Sequence, residues 1–351
     1  MWSDTRKPRF VGRLSDRSVV RCRVSLLTAL CAAWLSSAGA DASDDAPTRT
    51  YENRLTPILD PLPVLSDHPR FVAPLVDTRH FEAPPLLDED EADLFVRAWR
   101  YSFNVRGAIE MPNRLSGKRT AVVVVHPWGI DDGQGWKVPQ PAGFAFGSPE
   151  KNAIYAEHLR DVVNPFLETI RPRVGLVLYS LRGGADPIRT KLYRSIHGRP
   201  PGDERAAARK SLEETLARFD YRAGGVPQTL VLSPDRPVAD YFRQLPGGGH
   251  GDHFNGKGYW NLPVPVHSAI EVHDDDVVAF DDDGYAALAD CLKENGIRHV
   301  LLAGYSTSKC YCSTPAGYHN LERDFNVFLV GDATLETPSV GLSPAPSTTA
   351  L

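Results

Sequence analysis

The sequence predicts an α/β domain of three layers: a mostly parallel central sheet with helices on both faces. Three observations predict it. Short, unbroken runs of small and β-branched residues at 120–125, 174–180, 276–280, 299–303 and 327–330 have the composition of strands buried on both sides. Helical segments separate several of these runs, as the crossovers between parallel strands require. Polar residues and glycines gather where the runs end, which is where ligand chemistry collects in such sheets.

Taken in order, residues 1–40 do not belong to this domain. Seven basic side chains lie between 6 and 23, an apolar run follows at 24–35, and Ala38-Gly39-Ala40 has the small-residue pattern of a cleavage site. The apolar run is too short to span a bilayer comfortably. The expectation is an exported protein, periplasmic or secreted, with a signal peptide over 1–40 and no integral membrane segment after its removal. Removal takes seven basic and two acidic side chains from 39 and 44, leaving 32 and 42, a net charge of −10. Such a surface repels polyanions, and no basic stripe interleaved with aromatics is present, so no nucleic-acid partner is expected. Three cysteines then remain, Cys291, Cys310 and Cys312. An odd count is not a disulfide scaffold, and Cys310 and Cys312 are too close for an unstrained bridge.

Residues 41–85 hold eight prolines without apolar periodicity and read as an extended arm. Residues 86–119 form an extension packed on the core, with an edge strand or short helix at 95–105. The core begins with the strand 120–125 and its polar end, His126. Pro127, Trp128, Gly129, Ile130, Asp131, Asp132, Gly133, Gln134, Gly135 and Trp136 follow as a glycine-rich loop. His126 can serve a thiol as base, with Asp131 or Asp132 to orient it. The plainer alternative is a histidine satisfied by backbone groups. Trp128 and Trp136 either line a pocket mouth or pack the loop.

An amphipathic helix over 150–170 carries Ile154, His158, Val162, Phe166 and Ile170 on one stripe and is kinked by Pro165. Beyond the strand 174–180, residues 198–225 are a charged insertion with a helix at 203–219, and 229–232 read as a further strand. The glycine loop 247–253 brings His250, Asp252 and His253 close in sequence. These are metal-ligand types, although a glycine loop imposes no geometry on them, and a polar loop over the crevice is the simpler account. The run Asp281-Asp282-Asp283 reads as a solvated helix start, where carboxylates suit the dipole. A helix at 284–295 buries Cys291 and stops at Gly296. Residues 338–351 are low in complexity and expected to be disordered.

Cys310 stands just beyond the run 299–303, at the start of a helical segment. The unpaired N–H groups of a helix start favour a thiolate and can receive the charge on a carbonyl oxygen under attack. A small buried apolar residue is the alternative.

The segment Gly304-Tyr305-Ser306-Thr307-Ser308-Lys309-Cys310, with Thr314-Pro315-Ala316 and then Gly331-Asp332-Ala333-Thr334, resembles the cysteine-bearing signature of the isochorismatase-like hydrolases. That family includes nicotinamidases and N-carbamoylsarcosine amidases. The likeness extends more loosely over 120–337 and implies a Rossmann-like topology, Cys310 as nucleophile, and the N–H groups of Ser306 and Cys310 as oxyanion donors. Tyr305 and Lys309 flank the site, Lys309 as a nearby positive charge. Two positions depart from the family pattern. His126 stands where an aspartate takes the thiol proton, and Asp281-Asp282-Asp283 stand where a lysine follows the strand. The loop Leu181-Arg182-Gly183-Gly184-Ala185-Asp186-Pro187 has no histidine beside its aspartate, so the family's metal motif is not carried over and no cofactor is expected.

Two functions follow as expectations. In the first, Cys310 attacks a small amide-like or related C–N substrate through a covalent thioester, with His126 as base. In the second, the domain is a non-catalytic binding or structural module of the cell envelope. The partner expected is a small-molecule substrate, with self-association left open.

Overall fold

Thr120–Val125 has neither charge nor glycine, and all six of its residues are buried in the structure, a computed structural model. The structure describes residues 48–76, 78–127, 149–218, 228–244, 262–307 and 309–336, without the side chains of 149–153. The chain divides into Met1–Tyr51 and Glu52–Leu351, and the second unit contains everything below. The expected signal segment and tail lie outside the described residues, as do Trp128, Asp131, Asp132, Trp136, His250, Asp252 and His253.

Four strands, β1 (Thr56–Pro57), β2 (Arg79–Glu82), β3 (Leu94–Ser102) and β4 (Gly107–Leu115), form one sheet in the order β1-β2-β4-β3. β3 is antiparallel to β4 from Leu94 opposite Leu115 to Ser102 opposite Gly107, and β2 is parallel to β4. The proline-rich stretch, expected as an extended arm lying on the domain, contributes the two short strands β1 and β2. Side-chain contacts link the strands: the Glu110 carboxylate of β4 meets the buried His80 ring of β2 and the exposed Arg97 guanidinium of β3.

The second sheet contains β5 (Thr120–Val125), β6 (Leu176–Leu181), β7 (Val277–Phe280), β8 (His299–Tyr305) and β9 (Asn326–Leu335). All four pairings are parallel, in the order β7-β6-β5-β8-β9. The chain steps outward from β5 to β7, then returns to the other side of β5 to lay down β8 and β9. The strand order therefore reverses between β5 and β8. In open parallel sheets, that reversal opens a crevice at the carboxyl ends of the two strands.

Helices cover both faces, giving three layers. α1 (Pro149–His158), a π-turn (Leu159–Val163) and α2 (Asn164–Ile170) run as one rod. The π-turn lies just ahead of Pro165, which has no N–H to give to the preceding turn, so the expected kink takes the form of a widened turn. Tyr155, Leu159, Val163 and Leu167 pack on Val122, Val124, Tyr179 and Phe280. α3 (Arg189–Leu192), α4 (Arg205–Arg218) and α5 (Pro237–Gln244) lie between β6 and β7. No strand forms at 229–232 because the segment has no face to bury, and Val231 is exposed. On the opposite face, α6 (Gly284–Glu294), α7 (Cys310–Ser313) and α8 (Tyr318–Leu321) bring Leu288, Leu292, Tyr311 and Leu321 against Ala121, Val123, Val125 and Leu178. Each fully buried valine of β5 contributes roughly 2 kcal/mol through the water it sheds. Among the described residues, no helix is long and apolar enough to cross a membrane.

Gly304 sets how closely the two central strands approach. It lies opposite Val125, has φ +125°, and a Cβ there would fall 2.3 Å from the Val125 carbonyl oxygen.

Candidate active site

Immediately after β5 and β8 the chain enters the left-handed region twice, at His126 (φ 53°) and Ser306 (φ 63°). Neither is a glycine, and each such residue costs on the order of 1 kcal/mol or more unless its surroundings hold it. The two lie side by side at the carboxyl edge, where the strand order reverses. The His126 N–H donates to the Ser180 carbonyl of β6 at 3.0 Å, which fixes the turn.

The His126 ring is 8% exposed. Its Nε2 is 2.8 Å from Asp281 Oδ2, and the Cys310 thiol is near enough to help raise the ring's pKa. The second oxygen of Asp281 accepts from Ser180 Oγ at 3.2 Å. Cys310 is half-buried and not disulfide-bonded. Thus a sulfur, an imidazole and a carboxylate adjoin in series, drawn from the segments after β8, β5 and β7.

Burial by itself pushes the imidazole down. The hydrogen bonds and charges of Asp281, and then of Cys310, outweigh that and hold His126 up at about 9. At neutral pH the ring is therefore an imidazolium, where a near-neutral base was expected. The orienting carboxylate found among the described residues is Asp281 and not the expected Asp131 or Asp132, which lie outside them.

Ser306 does not supply the expected oxyanion donor. Its N–H donates to the Leu335 carbonyl at 2.9 Å, and its own carbonyl accepts from the N–H groups of Lys309 and Tyr311. β9 runs on to Leu335, past the Asp332 where the strand was expected to end, and its last carbonyl meets Ser306. Among the described residues, the Cys310 N–H meets no acceptor.

Tyr305 does not face His126 and Cys310. It is 4% exposed, and the alternation of the strand sends it to the opposite face of the sheet. There its hydroxyl donates to His158 Nδ1 at 2.9 Å, while His158 Nε2–H donates to the Asp332 carbonyl at 2.7 Å. Burial pushes His158 down to about 4, so the ring is neutral.

Lys309 is exposed just ahead of α7, its carbonyl accepting from Cys312 and Ser313. The helix expected after Cys310 is a single turn ended at Thr314-Pro315, too short for much of a macrodipole. Cys312 donates to the Thr307 carbonyl at 2.8 Å, and burial with Glu336 pushes its thiol up. Cys291, expected in the core, is half-buried on α6, and burial pushes its thiol up as well.

Of the acidic run, expected to be a solvated helix start, Asp283 does cap the turn but with its side chain buried. Its Oδ2 accepts the Phe280 N–H at 2.8 Å, and its Oδ1 is 2.8 Å from His197 Nε2. Asp281 was missed, and so was Ser180. Strand parity was the available signal: Val277 and Ala279 face the α6 side of the sheet, Asp281 continues that alternation, and Leu176, Leu178 and Ser180 do the same on β6.

No family model matches the sequence, and neither does any curated protein. Among solved structures, the chain is similar to a cysteine hydrolase from Pseudomonas syringae pv. phaseolicola 1448A at 18% identity and a TM-score of 0.31, over 66% of this chain and 81% of the other.

Proposed function

We propose that the protein is a cysteine-nucleophile hydrolase acting on a small amide-like or related C–N substrate through a covalent thioester. The observation that carries this reading is the seat of His126, with Asp281 on one side and Cys310 on the other. With Nε2 held by Asp281, Nδ1 is left for the sulfur, the Cys–His pairing used by thiol proteases on other folds.

In the first half-reaction the thiolate attacks the substrate carbon. A C–S bond forms, and the carbonyl π pair moves onto oxygen, which the Cys310 N–H receives. The electron pair then returns, the C–N bond breaks, and the imidazolium of His126 gives its proton to the departing nitrogen. In the second half-reaction the now neutral imidazole takes a proton from water as the water oxygen attacks the thioester. The C–S bond breaks, the acid leaves, and the thiolate and imidazolium are restored. Asp281 holds the ring at Nε2 throughout.

The test is release of ammonia or amine from a panel of small primary amides and N-carbamoyl compounds, with Cys310→Ala as control. The expected result is turnover of at least one class, absent in Cys310→Ala, with an acyl adduct on Cys310 visible by mass spectrometry. No turnover and no adduct on any class would leave the non-catalytic binding module.

A further inference from the structure

Ser180 touches both partners of the His126–Asp281 pair. It is 2% exposed at the carboxyl end of β6, the strand lying between β5 and β7. Its carbonyl accepts the His126 N–H at 3.0 Å, and its hydroxyl donates to Asp281 Oδ1 at 3.2 Å. The other residues on its face of β6, Leu176 and Leu178, are apolar and buried. A hydroxyl in that stripe loses its water and has to be repaid by a partner; among the described residues its side-chain partner is Asp281.

We propose that Ser180 is a positioning residue of the site, its hydroxyl fixing the rotation of the Asp281 carboxylate so that Oδ2 meets the imidazole. The inference rests on the hydrolase reading above. A carboxylate turns freely about its last torsion, and a single contact to a ring leaves that torsion broad. A second contact on the other oxygen narrows it. The titratable and charged groups on the elements meeting here are His126 after β5, Cys310 at the start of α7, Lys309 just before it, and Arg182 after β6. Asp282 and Asp283 lie on the same turn as Asp281, with Asp283 paired to His197.

The test is the rate of Cys310 alkylation by iodoacetamide from pH 5 to 10 in Ser180→Ala and Ser180→Thr, beside Asp281→Asn, with a urea melt on each to establish folding. Removing the hydroxyl leaves the backbone bond to His126 in place, so a change in the profile reports the side chain. Ser180→Ala is expected to fold, to label roughly three- to tenfold more slowly at pH 7, and to move the alkaline limb of the profile to lower pH; Ser180→Thr is expected to restore both. If the alanine variant does not fold, Ser180→Cys, near in volume and a weak donor, takes its place. A Ser180→Ala profile that superimposes on wild type while Asp281→Asn is slowed overturns this inference and leaves the hydrolase reading standing. Superimposed profiles for Ser180→Ala and Asp281→Asn alike overturn both.

Discussion

His126 and Asp281 lie 155 residues apart in the chain and 2.8 Å apart in the fold. A buried imidazole without that carboxylate would sit below its ordinary range, because burial is the largest influence on it and works against the charged form. Asp281→Asn keeps the shape and removes the charge. The ring should then lose its proton near or below neutrality, and Cys310 alkylation at pH 7 should slow by roughly ten- to a hundredfold, read by mass-spectrometric labelling.

Stability should pass through a maximum near pH 6.5. The folded His126 value of about 9 lies above the unfolded one, so its contribution is complete below pH 6.5 and is lost as pH rises through 9. His158 and His267 behave oppositely. Burial pushes both down to about 4, so between pH 6.5 and 4 the unfolded chain takes up protons that the folded chain refuses. Each imidazole is worth on the order of 3 kcal/mol over its window. Urea unfolding from pH 4 to 10 checks this, and His126→Gln should flatten the alkaline limb while leaving the acid limb.

Gly304→Ala should damage fold and site together. The new Cβ would meet the Val125 carbonyl at 2.3 Å with φ at +125°, forcing apart the two strands whose ends carry His126 and Cys310. A loss of roughly 3 kcal/mol in unfolding free energy is expected, together with slower Cys310 labelling in whatever remains folded.

Tyr305→Phe separates neighbourhood in sequence from neighbourhood in space. The lost hydroxyl leaves His158 Nδ1 without its donor on the far face of the sheet, a cost of about 1–2 kcal/mol by urea melt. Cys310 labelling should be unchanged. A large fall would place Tyr305 back beside the pocket.

Four of the five parallel strands were legible because strands covered on both faces must be continuously apolar, as β5 is, whereas 327–330, read as buried, lies in the edge strand β9 with Leu329 exposed; His126 and Cys310 were legible because they end or follow buried runs. Asp281 was not. Three aspartates ahead of a helix have a sufficient local reason to be there, and Asp283 does cap the turn; strand alternation puts the first of the three on the α6 face, but it does not name the residue on another strand that it meets. β1 and β2 were hidden for a related reason. They are two and four residues long in a proline-rich stretch, and β2 is tied to β4 by the buried His80–Glu110 hydrogen bond, which leaves no apolar period to read. The role expected of Ser306 went to the strand instead, because β9 runs three residues past Asp332 and its last carbonyl claims the N–H.

The most direct test of the central claim, that His126 and Asp281 poise the Cys310 sulfur, is the alkylation rate of each free cysteine at pH 7. Cys310 should label at least about tenfold faster than Cys291 and Cys312, whose thiols burial pushes up, and His126→Gln should abolish the advantage. Equal, slow labelling of all three, unaltered by His126→Gln, would contradict it.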